Sequence, residues 1–420
     1  MQVSSSPFFW RRLAGFLGPG FMISVGYMDP GNWATDLAGG SRFGYTLLYA
    51  IMASNLMAIL LQSLALKLGV ATGRDLAQLC RERFSLPVSF VLWQFAEIAI
   101  AACDLAEVIG SAIALQLLFH IPLLWGVLIT SLDVLVILLL ENRGFRYLEA
   151  LIMTLIGTIV LLFALQLGMT HPEFAPILKN LFVPSSQIVR NPAMLYIAIG
   201  ILGATVMPHN LYLHSSIVQS RNYERTSAGK REAILMANVD SALALTLALF
   251  VNAAILIVAA AVFHRTGHLE VAGIEDAYKL LSPLAGVTGA STLFAIALLA
   301  SGQNSSLTGT LAGQVVMEGF VHLQVRPWMR RLITRSLSIL PTVIVVALMG
   351  EQGTEKLLLL SQVILAMQLS FAVVPLVLFT SNRKLMGEFV NARWLTALSW
   401  SAATVIAGLN IWLLIAEFRG

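Results

Sequence analysis

The sequence predicts an all-α, polytopic membrane protein with eleven transmembrane helices, and two observations favour this fold class. First, 58% of the 420 residues are hydrophobic and only 11% are charged, whereas soluble domains carry about 25% charged residues. Second, the apolar residues form long continuous runs, unlike the short alternating strands of a membrane β-barrel. Because backbone groups in lipid must be hydrogen-bonded within their own segment, we expect these runs to be helices.

A helix needs about 20 apolar residues to cross the hydrocarbon core. Eleven segments meet this requirement: 13–39, 44–68, 87–119, 122–140, 148–168, 193–219, 234–263, 285–320, 332–349, 357–380 and 394–416. The first follows Arg11 and Arg12, as a signal peptide would, but it contains Pro19 and Pro30 and lacks a cleavage site, which indicates a retained span. No linker interrupts the array, so we expect residues 1–420 to form a single transport domain.

The basic residues predict the orientation, because Lys and Arg accumulate in cytoplasmic loops. Of the 26 Lys and Arg residues, 19 fall on one side of the predicted spans and seven on the other. This imbalance predicts a cytoplasmic N-terminus and an outer C-terminus. The basic clusters are short and contain no interleaved aromatic residues, so nucleic acid is not expected as a partner. The two cysteines, Cys80 and Cys103, imply no disulfide framework.

Two of the predicted spans contain a helix break. The first span includes Asp29-Pro30-Gly31-Asn32 and the sixth includes Met207-Pro208-His209-Asn210. Proline removes a backbone donor and clashes with the preceding turn, and an intramembrane carboxylate is a functional-site hypothesis by default. The breaks are five helices apart, which predicts two inverted five-helix repeats, at about 12–170 and 190–381, with an eleventh helix at about 394–416. Ordinary proline kinks are the alternative.

The residues at the breaks indicate a metal site near the middle of the membrane. Asp29 offers an anionic oxygen, Asn32 an amide oxygen and Met207 a thioether, while the unwound backbone would release carbonyls, for instance at Ala204. Mg²⁺ and Ca²⁺ prefer shells made only of oxygen, whereas softer ligands favour transition metals. The mixed oxygen and sulfur set therefore favours Mn²⁺, Fe²⁺ and softer neighbours. Packing alone is the alternative for Met207.

The third span carries Glu97, Asp104 and Glu107. At about 100° per residue these acids share one helical face. They could relay protons, or they could form static hydrogen bonds and ion pairs between helices. His214 would point about 140° away from His209 in a regular helix.

The motifs at the breaks closely resemble those of the Nramp (natural resistance-associated macrophage protein) metal transporters. Two further stretches, 104–110 in the third span and 302–314 in the eighth, are also similar to that family. The resemblance runs from about residue 12 to 410, and the short tails are similar to those of its bacterial, manganese-importing branch. It implies a LeuT-type fold with discontinuous helices 1 and 6, and proton-coupled metal import across the bacterial inner (plasma) membrane.

The resemblance also implies roles for single residues. The metal shell would comprise Asp29, Asn32, Met207 and the Ala204 carbonyl, joined on occlusion by a glutamine of the tenth span, for which we choose Gln362 over Gln368. Proton movement would involve the residues Asp104, Glu107, His209 and Arg335, with Glu97 on the same face. Asp133 and Asp240 are interpreted as structural, and the role of His214 stays open.

Three other functions compete with this interpretation. A sodium-coupled amino-acid symporter would place a substrate carboxylate near Asp29, which would repel it. A metal channel needs symmetric rings of ligands, and a membrane metalloenzyme needs a motif such as His-Glu-x-x-His, which the sequence lacks. We therefore expect a transporter and not an enzyme, with a divalent metal ion, protons and lipid as partners, no cofactor and no obligate protein partner.

Overall fold

The computed structural model describes residues 9–130, 132, 145–271, 273–287, 289–321 and 326–419. All regular elements in these ranges are α-helices or short 3-10 helices, which confirms the all-α fold class. Asp133 and the second half of the predicted fourth span lie outside the described residues.

The helices follow the predicted spans closely, with shorter helices between them. The α-helices are α1 (Phe9–Phe16), α2 (Pro19–Ser24), α3 (Pro30–Phe43), α4 (Leu48–Thr72), α5 (Leu76–Arg83), α6 (Leu86–Phe119), α7 (Leu123–Thr130), α8 (Phe145–Thr170), α9 (Phe174–Phe182), α10 (Gln187–Arg190), α11 (Pro192–Thr205), α12 (Pro208–Ile217), α13 (Ser227–Val262), α14 (Ile274–Ala285), α15 (Ala290–Val321), α16 (Pro327–Met349), α17 (Glu351–Thr380), α18 (Arg383–Met386) and α19 (Arg393–Arg419).

Eight stretches of helix in the described part of the chain are long and apolar enough to cross a membrane. One of them, Pro30–Thr72, covers parts of two predicted spans. The predicted eighth span corresponds to α15, which carries many buried polar residues and is not among these eight stretches. The membrane-helix architecture is thus confirmed, whereas the number of eleven spans stays a prediction.

Both predicted helix breaks are present. In the first span α2 is followed by a 3-10 turn at Val25–Met28, and Asp29 has an extended backbone before α3 begins. In the sixth span α11 ends at Thr205, and Met207 has an extended backbone before α12 begins. In each case a proline occupies the first position of the second half-helix, where its missing N–H costs nothing. Pro30 and Pro208 therefore mark the ends of half-helices, not simple kinks.

The packing of the long helices brings the breaks to the centre of the bundle. α11 packs on α3, and α17 packs on both α11 and α6. The third and eighth predicted spans, α6 and α15, pack along each other, since small residues such as Gly302 and Gly309 on α15 allow close approach to α6. The two broken spans and the acidic face of α6 consequently lie within one buried region.

Candidate metal-binding site and acidic helix

Asp29 begins the second half of the first broken span. Its Oδ1 accepts a hydrogen bond of 2.9 Å from the Asn32 backbone N–H, which makes Asp29 the N-cap of α3. A carboxylate is favoured at this position by the positive end of the helix dipole. Its second oxygen, Oδ2, is fully buried and has no hydrogen-bond partner among the described residues. Asp29 thus holds its helix with one oxygen and leaves the other available.

Asn32 shows the same division between a structural and an available atom. Its Nδ2 donates to the Tyr27 carbonyl at 3.0 Å, which fixes the orientation of the amide. Its Oδ1 is buried without a hydrogen-bond partner in the described part of the chain. The backbone at this break also releases a carbonyl, because the helical partner of the Gly26 oxygen would be the N–H that Pro30 lacks.

The second broken span supplies a carbonyl and a sulfur. In a continuous helix the Ala204 carbonyl would accept from residue 208, but Pro208 has no N–H. Met207, the residue before that proline, is fully buried. It packs with Cys103 of α6 and Leu365 of α17. The break therefore places a carbonyl without its helical donor three residues before a buried thioether.

The two breaks contact each other directly. A β-carbon on Gly26 would lie 3.3 Å from the Met207 sulfur and would collide with the Asn210 amide. The glycine at position 26 is thus what allows the sixth span to approach the first. The thioether consequently reaches the segment that carries Asp29 and Asn32.

Gln362 of α17 contacts both breaks. A β-carbon on Gly31 would collide with the Gln362 side chain, and one on Gly203 would collide with the Gln362 carbonyl. Gln362 is fully buried; its Nε2 donates to Ser361 at 2.8 Å, and its Oε1 has no hydrogen-bond partner among the described residues. The geometry is that expected of a ligand on the third side of the site.

We refer to Asp29, Asn32, Met207 and Gln362 as the metal cluster. Three buried oxygens of these residues lack hydrogen bonds in the described structure, and each unsatisfied buried polar atom costs about 1–3 kcal/mol. The described residues contain no group of three or more His, Cys, Asp or Glu side chains suited to a metal ion. A cation here would thus be held by one carboxylate and several neutral ligands, a set suited to release as well as to binding.

Two acids of α6, Glu97 and Glu107, lie beside arginine side chains instead. Arg330 of α16 donates from one nitrogen to both oxygens of Glu97 at 3.0 Å, and the Trp93 indole N–H donates to the same carboxylate at 3.0 Å. The Arg330 side chain is 3% exposed and that of Glu97 is 23% exposed, so the arginine is buried whereas the carboxylate is partly open. The sequence indicated Glu97 but not its partner. Arg330 lies just before the predicted ninth span, where a basic residue is expected in a cytoplasmic loop.

A second arginine serves the other two acids of α6. Arg335 lies 3.9 Å from a Glu107 carboxylate oxygen and donates to the Asp104 backbone carbonyl at 3.3 Å. Ser306 of α15 links the group, since its hydroxyl accepts from Arg335 at 2.6 Å and donates to Glu107 at 3.1 Å. The structure thus brings Asp104, Glu107 and Arg335 together. Ser306, within the 302–314 motif, is an additional member that sequence reasoning did not single out.

His209 and Cys103 lie between the metal cluster and the acids. His209 directly follows Pro208 at the start of α12, is buried, and lies in the neighbourhood of Asp104. Cys103 packs against Met207, and its thiol contacts a Glu107 oxygen at 3.5 Å. One side chain therefore touches both a metal-cluster residue and an acid. This position of Cys103 could not be predicted from the sequence, because a cysteine inside an apolar span usually packs as a small hydrophobic residue.

Buried contacts hold the first broken span at the end of the bundle where α1 lies. Arg221 pairs with Glu149 at 2.6 Å and donates to the Leu17 carbonyl at 2.8 Å. Asp240 accepts from the backbone N–H groups of Gly18 and Gly20, at 3.2 and 2.6 Å. The structural interpretation of Asp240 is consistent with these bonds.

His214 belongs to a polar chain within the bundle. Its Nδ1 lies 2.9 Å from the Gln62 amide oxygen, and Gln62 in turn donates to the Tyr27 hydroxyl at 2.6 Å. Tyr27 lies in the first break, so His214 contacts the broken span through Gln62 and is separate from the acids of α6.

Two half-helix pairs around buried, unsatisfied polar atoms, in a bundle of apolar helices, define a secondary transporter of the membrane. The family model described as natural resistance-associated macrophage protein-like (Nramp) matches residues 20–416. The chain belongs to this family, whose members are membrane transporters and not enzymes.

The chain is similar to bacterial proteins named divalent metal cation transporter MntH. It is 62% identical over 420 residues to that of Nostoc sp., covering 100% of this chain and 95% of that protein. It is 63% identical over 420 residues to that of Mesorhizobium japonicum, covering 100% and 92%. A solved structure of the Eremococcus coleocola manganese transporter, in complex with an aromatic bis-isothiourea substituted compound, has 43% identity and a TM-score of 0.92 over 98% of this chain and 88% of that one.

A more distant likeness shows the fold alone. The nucleobase-cation-symport-1 family transporter Mhp1, in a closed conformation, has 15% identity and a TM-score of 0.62 over 95% of this chain and 93% of that one. The LeuT-type fold that the family resemblance implied is therefore confirmed.

Proposed function

We propose that this protein is a proton-coupled symporter that imports Mn²⁺, and Fe²⁺ with it, by alternating access across the bacterial inner membrane. One observation carries the proposal: buried oxygens of Asp29, Asn32 and Gln362 lack hydrogen bonds where two broken helices meet beside a methionine sulfur. The names of the MntH relatives and of the Eremococcus coleocola transporter support a divalent metal as the cargo.

The metal ligands in this proposal are Asp29, Asn32, Met207 and the Ala204 carbonyl, with Gln362 joining when the site closes. A single carboxylate compensates half of the charge of a divalent ion, and the neutral oxygens compensate for part of its lost hydration. The thioether favours Mn²⁺ and Fe²⁺ over Mg²⁺ and Ca²⁺, which gain little from a soft ligand. The metal is the transported substrate and not a cofactor.

The proton route in this proposal follows α6. Glu107 and Asp104, with Arg335 and His209 beside them, form its inner part, and Glu97 with Arg330 forms the end nearer the start of α6. A carboxylate that gains a proton loses its attraction for its arginine partner. Arg335 already donates to the Asp104 carbonyl and to the Ser306 hydroxyl, and in this proposal protonation of Glu107 leaves it held by these two contacts alone.

The alternating-access step rests on the first broken span. The Arg221 and Asp240 contacts hold its N-terminal half against the bundle. We propose that breaking these contacts opens the site towards the cytoplasm. The excess of basic residues on that side supports a cytoplasmic N-terminus and an outer C-terminus.

Uptake into liposomes tests the proposal. The purified protein is reconstituted with a pH-sensitive dye inside, and Mn²⁺ is added outside with a membrane potential imposed. We expect saturable Mn²⁺ uptake together with acidification of the interior, and neither signal in protein-free liposomes. Sodium-driven amino-acid uptake that needs no metal would overturn the proposal. Mn²⁺ uptake without acidification would overturn proton coupling and leave metal transport standing.

A further inference from the structure

A groove of about 390 Å³ lies between the start of α6 and the end of α15, and none of the metal cluster or the acids of α6 lines it, although its wall residue Trp93 donates to Glu97. Its walls include Leu86, Phe90, Trp93 and Phe320, with the Phe90 and Trp93 ring centroids 5.4 Å apart. Leu86 is 63% exposed and Phe90 is 58% exposed. Apolar side chains so exposed on a membrane protein face lipid, so the groove is continuous with the bilayer.

Of the residues that the structure describes, Arg81 is the one charged residue in the lining of this mostly apolar groove. Arg81, in the last turn of α5, forms no ion pair or hydrogen bond with the described residues, although Arg74 nearby pairs with Glu82 at 3.4 Å. A guanidinium at the boundary of the membrane is well suited to a phosphate group, because it offers several N–H donors in a fixed plane.

Two further features in the groove favour an anion with a lipid tail. Ser89 lines the groove and is 2% exposed, and its hydroxyl has no hydrogen-bond partner in the described structure. The groove also contains the first turn of the 34-residue helix α6, whose N-cap residue Ser85 makes no side-chain cap. Uncapped N–H groups and the helix dipole attract negative charge.

We propose that this groove binds an anionic phospholipid. The phosphate contacts Arg81 and the N-terminus of α6, and the Ser89 hydroxyl donates to a phosphate or ester oxygen. The acyl chain lies along Phe90 and Trp93. A soluble anion would leave these apolar walls uncovered, whereas a phospholipid satisfies the cation, the hydroxyl and the walls together.

Quenching of tryptophan fluorescence by brominated lipid tests the site. The protein is reconstituted in phosphatidylcholine bilayers that contain increasing brominated phosphatidylglycerol, and the Trp93 signal is the difference between wild type and Trp93→Phe. We expect brominated phosphatidylglycerol to quench this signal at about tenfold lower mole fraction than brominated phosphatidylcholine does. Arg81→Gln should reduce the preference to about twofold, and Ser89→Ala should reduce it by a smaller factor.

Arg83→Gln is the matched control, because it removes the same charge two residues further along α5, at an exposed side chain that does not line the groove. It should keep the preference. Equal quenching by the two lipids, or equal effects of Arg81→Gln and Arg83→Gln, would overturn the proposal. Displacement of phosphatidylglycerol by inorganic phosphate at constant ionic strength would show a site for the free anion and overturn the lipid assignment.

Discussion

The metal cluster and the acidic face of α6 are both buried and polar, but they differ in how their atoms are satisfied. In the metal cluster, Asp29, Asn32 and Gln362 each keep one oxygen without a hydrogen-bond partner in the described structure. On α6, Glu97 and Glu107 face arginines, and Ser306 bonds to Glu107 as well. Buried oxygens without hydrogen bonds are expected where a ligand binds. Acids that face arginines are expected where a proton can replace the arginine as the partner of the carboxylate.

In the proposed function, this difference explains how one bundle can treat a metal ion and a proton differently. A divalent metal needs several oxygens and a sulfur close together, which the two broken helices and Gln362 of α17 would supply. A proton needs only one carboxylate at a time. A neighbouring arginine stabilises that carboxylate while it is charged. Cys103, which shares an apolar cluster with Met207 and contacts Glu107 with its thiol, links the two regions.

Removing the charge of the metal cluster should have the largest effect. Asp29→Asn should reduce Mn²⁺ binding and uptake by at least about 100-fold, or ~2.7 kcal/mol, because no other carboxylate belongs to the cluster. Binding is measured by calorimetry on the purified protein. The amide can still cap α3, so an unchanged melting temperature separates a lost ligand from a lost fold. Uptake near the wild-type level would remove Asp29 from the site.

Neutralising an acid of α6 should affect the other cation instead. Glu107→Gln should keep Mn²⁺ binding within about threefold and abolish the acidification that accompanies uptake, because the relay loses a carboxylate beside Arg335. The liposome assay measures both signals in one sample. Glu82→Gln, an exposed acid on α5, is the control and should change neither. Continued proton movement in Glu107→Gln would favour the static ion-pair interpretation.

The sequence predicts the backbone of the metal cluster well and the pairing of the acids poorly. Pro30 and Pro208 are local signals, because each interrupts an apolar run that must otherwise be helical, and the structure has both breaks. The family resemblance implies a glutamine of the tenth span, for which we choose Gln362 over Gln368; the Gln362 side chain lies against Gly31, and its role as a ligand stays a prediction.

Contacts between residues far apart in the chain could not be predicted from the sequence in this way. Arg330 and Glu97 are 233 residues apart, and nothing near Arg330 distinguishes it from a cation that orients a loop. The sequence likewise does not predict the contacts of Ser306 and Cys103 with Glu107, since a single small polar residue in a span is common. Local breaks can be predicted from the chain, whereas partners across the bundle require the packing of α6, α15 and α16.

Removing the sulfur should change selectivity more than transport. Met207→Ala should keep Mn²⁺ uptake within about threefold while Ca²⁺ and Mg²⁺ compete about tenfold more strongly, or ~1.4 kcal/mol. Competition in the liposome assay measures the effect. Met207→Leu is the matched variant, because it lacks the sulfur but fills a similar volume. If both variants leave competition unchanged, the soft-ligand argument is wrong.

The smallest effect is expected at Asp75, a buried acid that belongs to neither region. It caps α5 by accepting from the Gln78 N–H at 2.8 Å, and burial raises its pKa to about 6 although backbone hydrogen bonds from Gln78 and Ala77 oppose the shift. The unfolded value is about 3.9, so the folded state binds more protons between about pH 4 and 6. The contribution of Asp75 to stability therefore falls as pH rises through this window.

Asp75→Asn keeps the cap and removes the titration. In detergent it should melt about 2–4 °C above wild type at pH 7.5, and this gap should close at pH 4.5. Glu82→Gln on the same helix has an exposed side chain and should show no such pH-dependent gap. A gap that persists at low pH would assign the effect to packing. Asp75 belongs to neither the metal cluster nor the acidic face of α6. We therefore expect Asp75→Asn to leave Mn²⁺ and proton fluxes unchanged, which would show that burial of an acid alone does not make it part of transport.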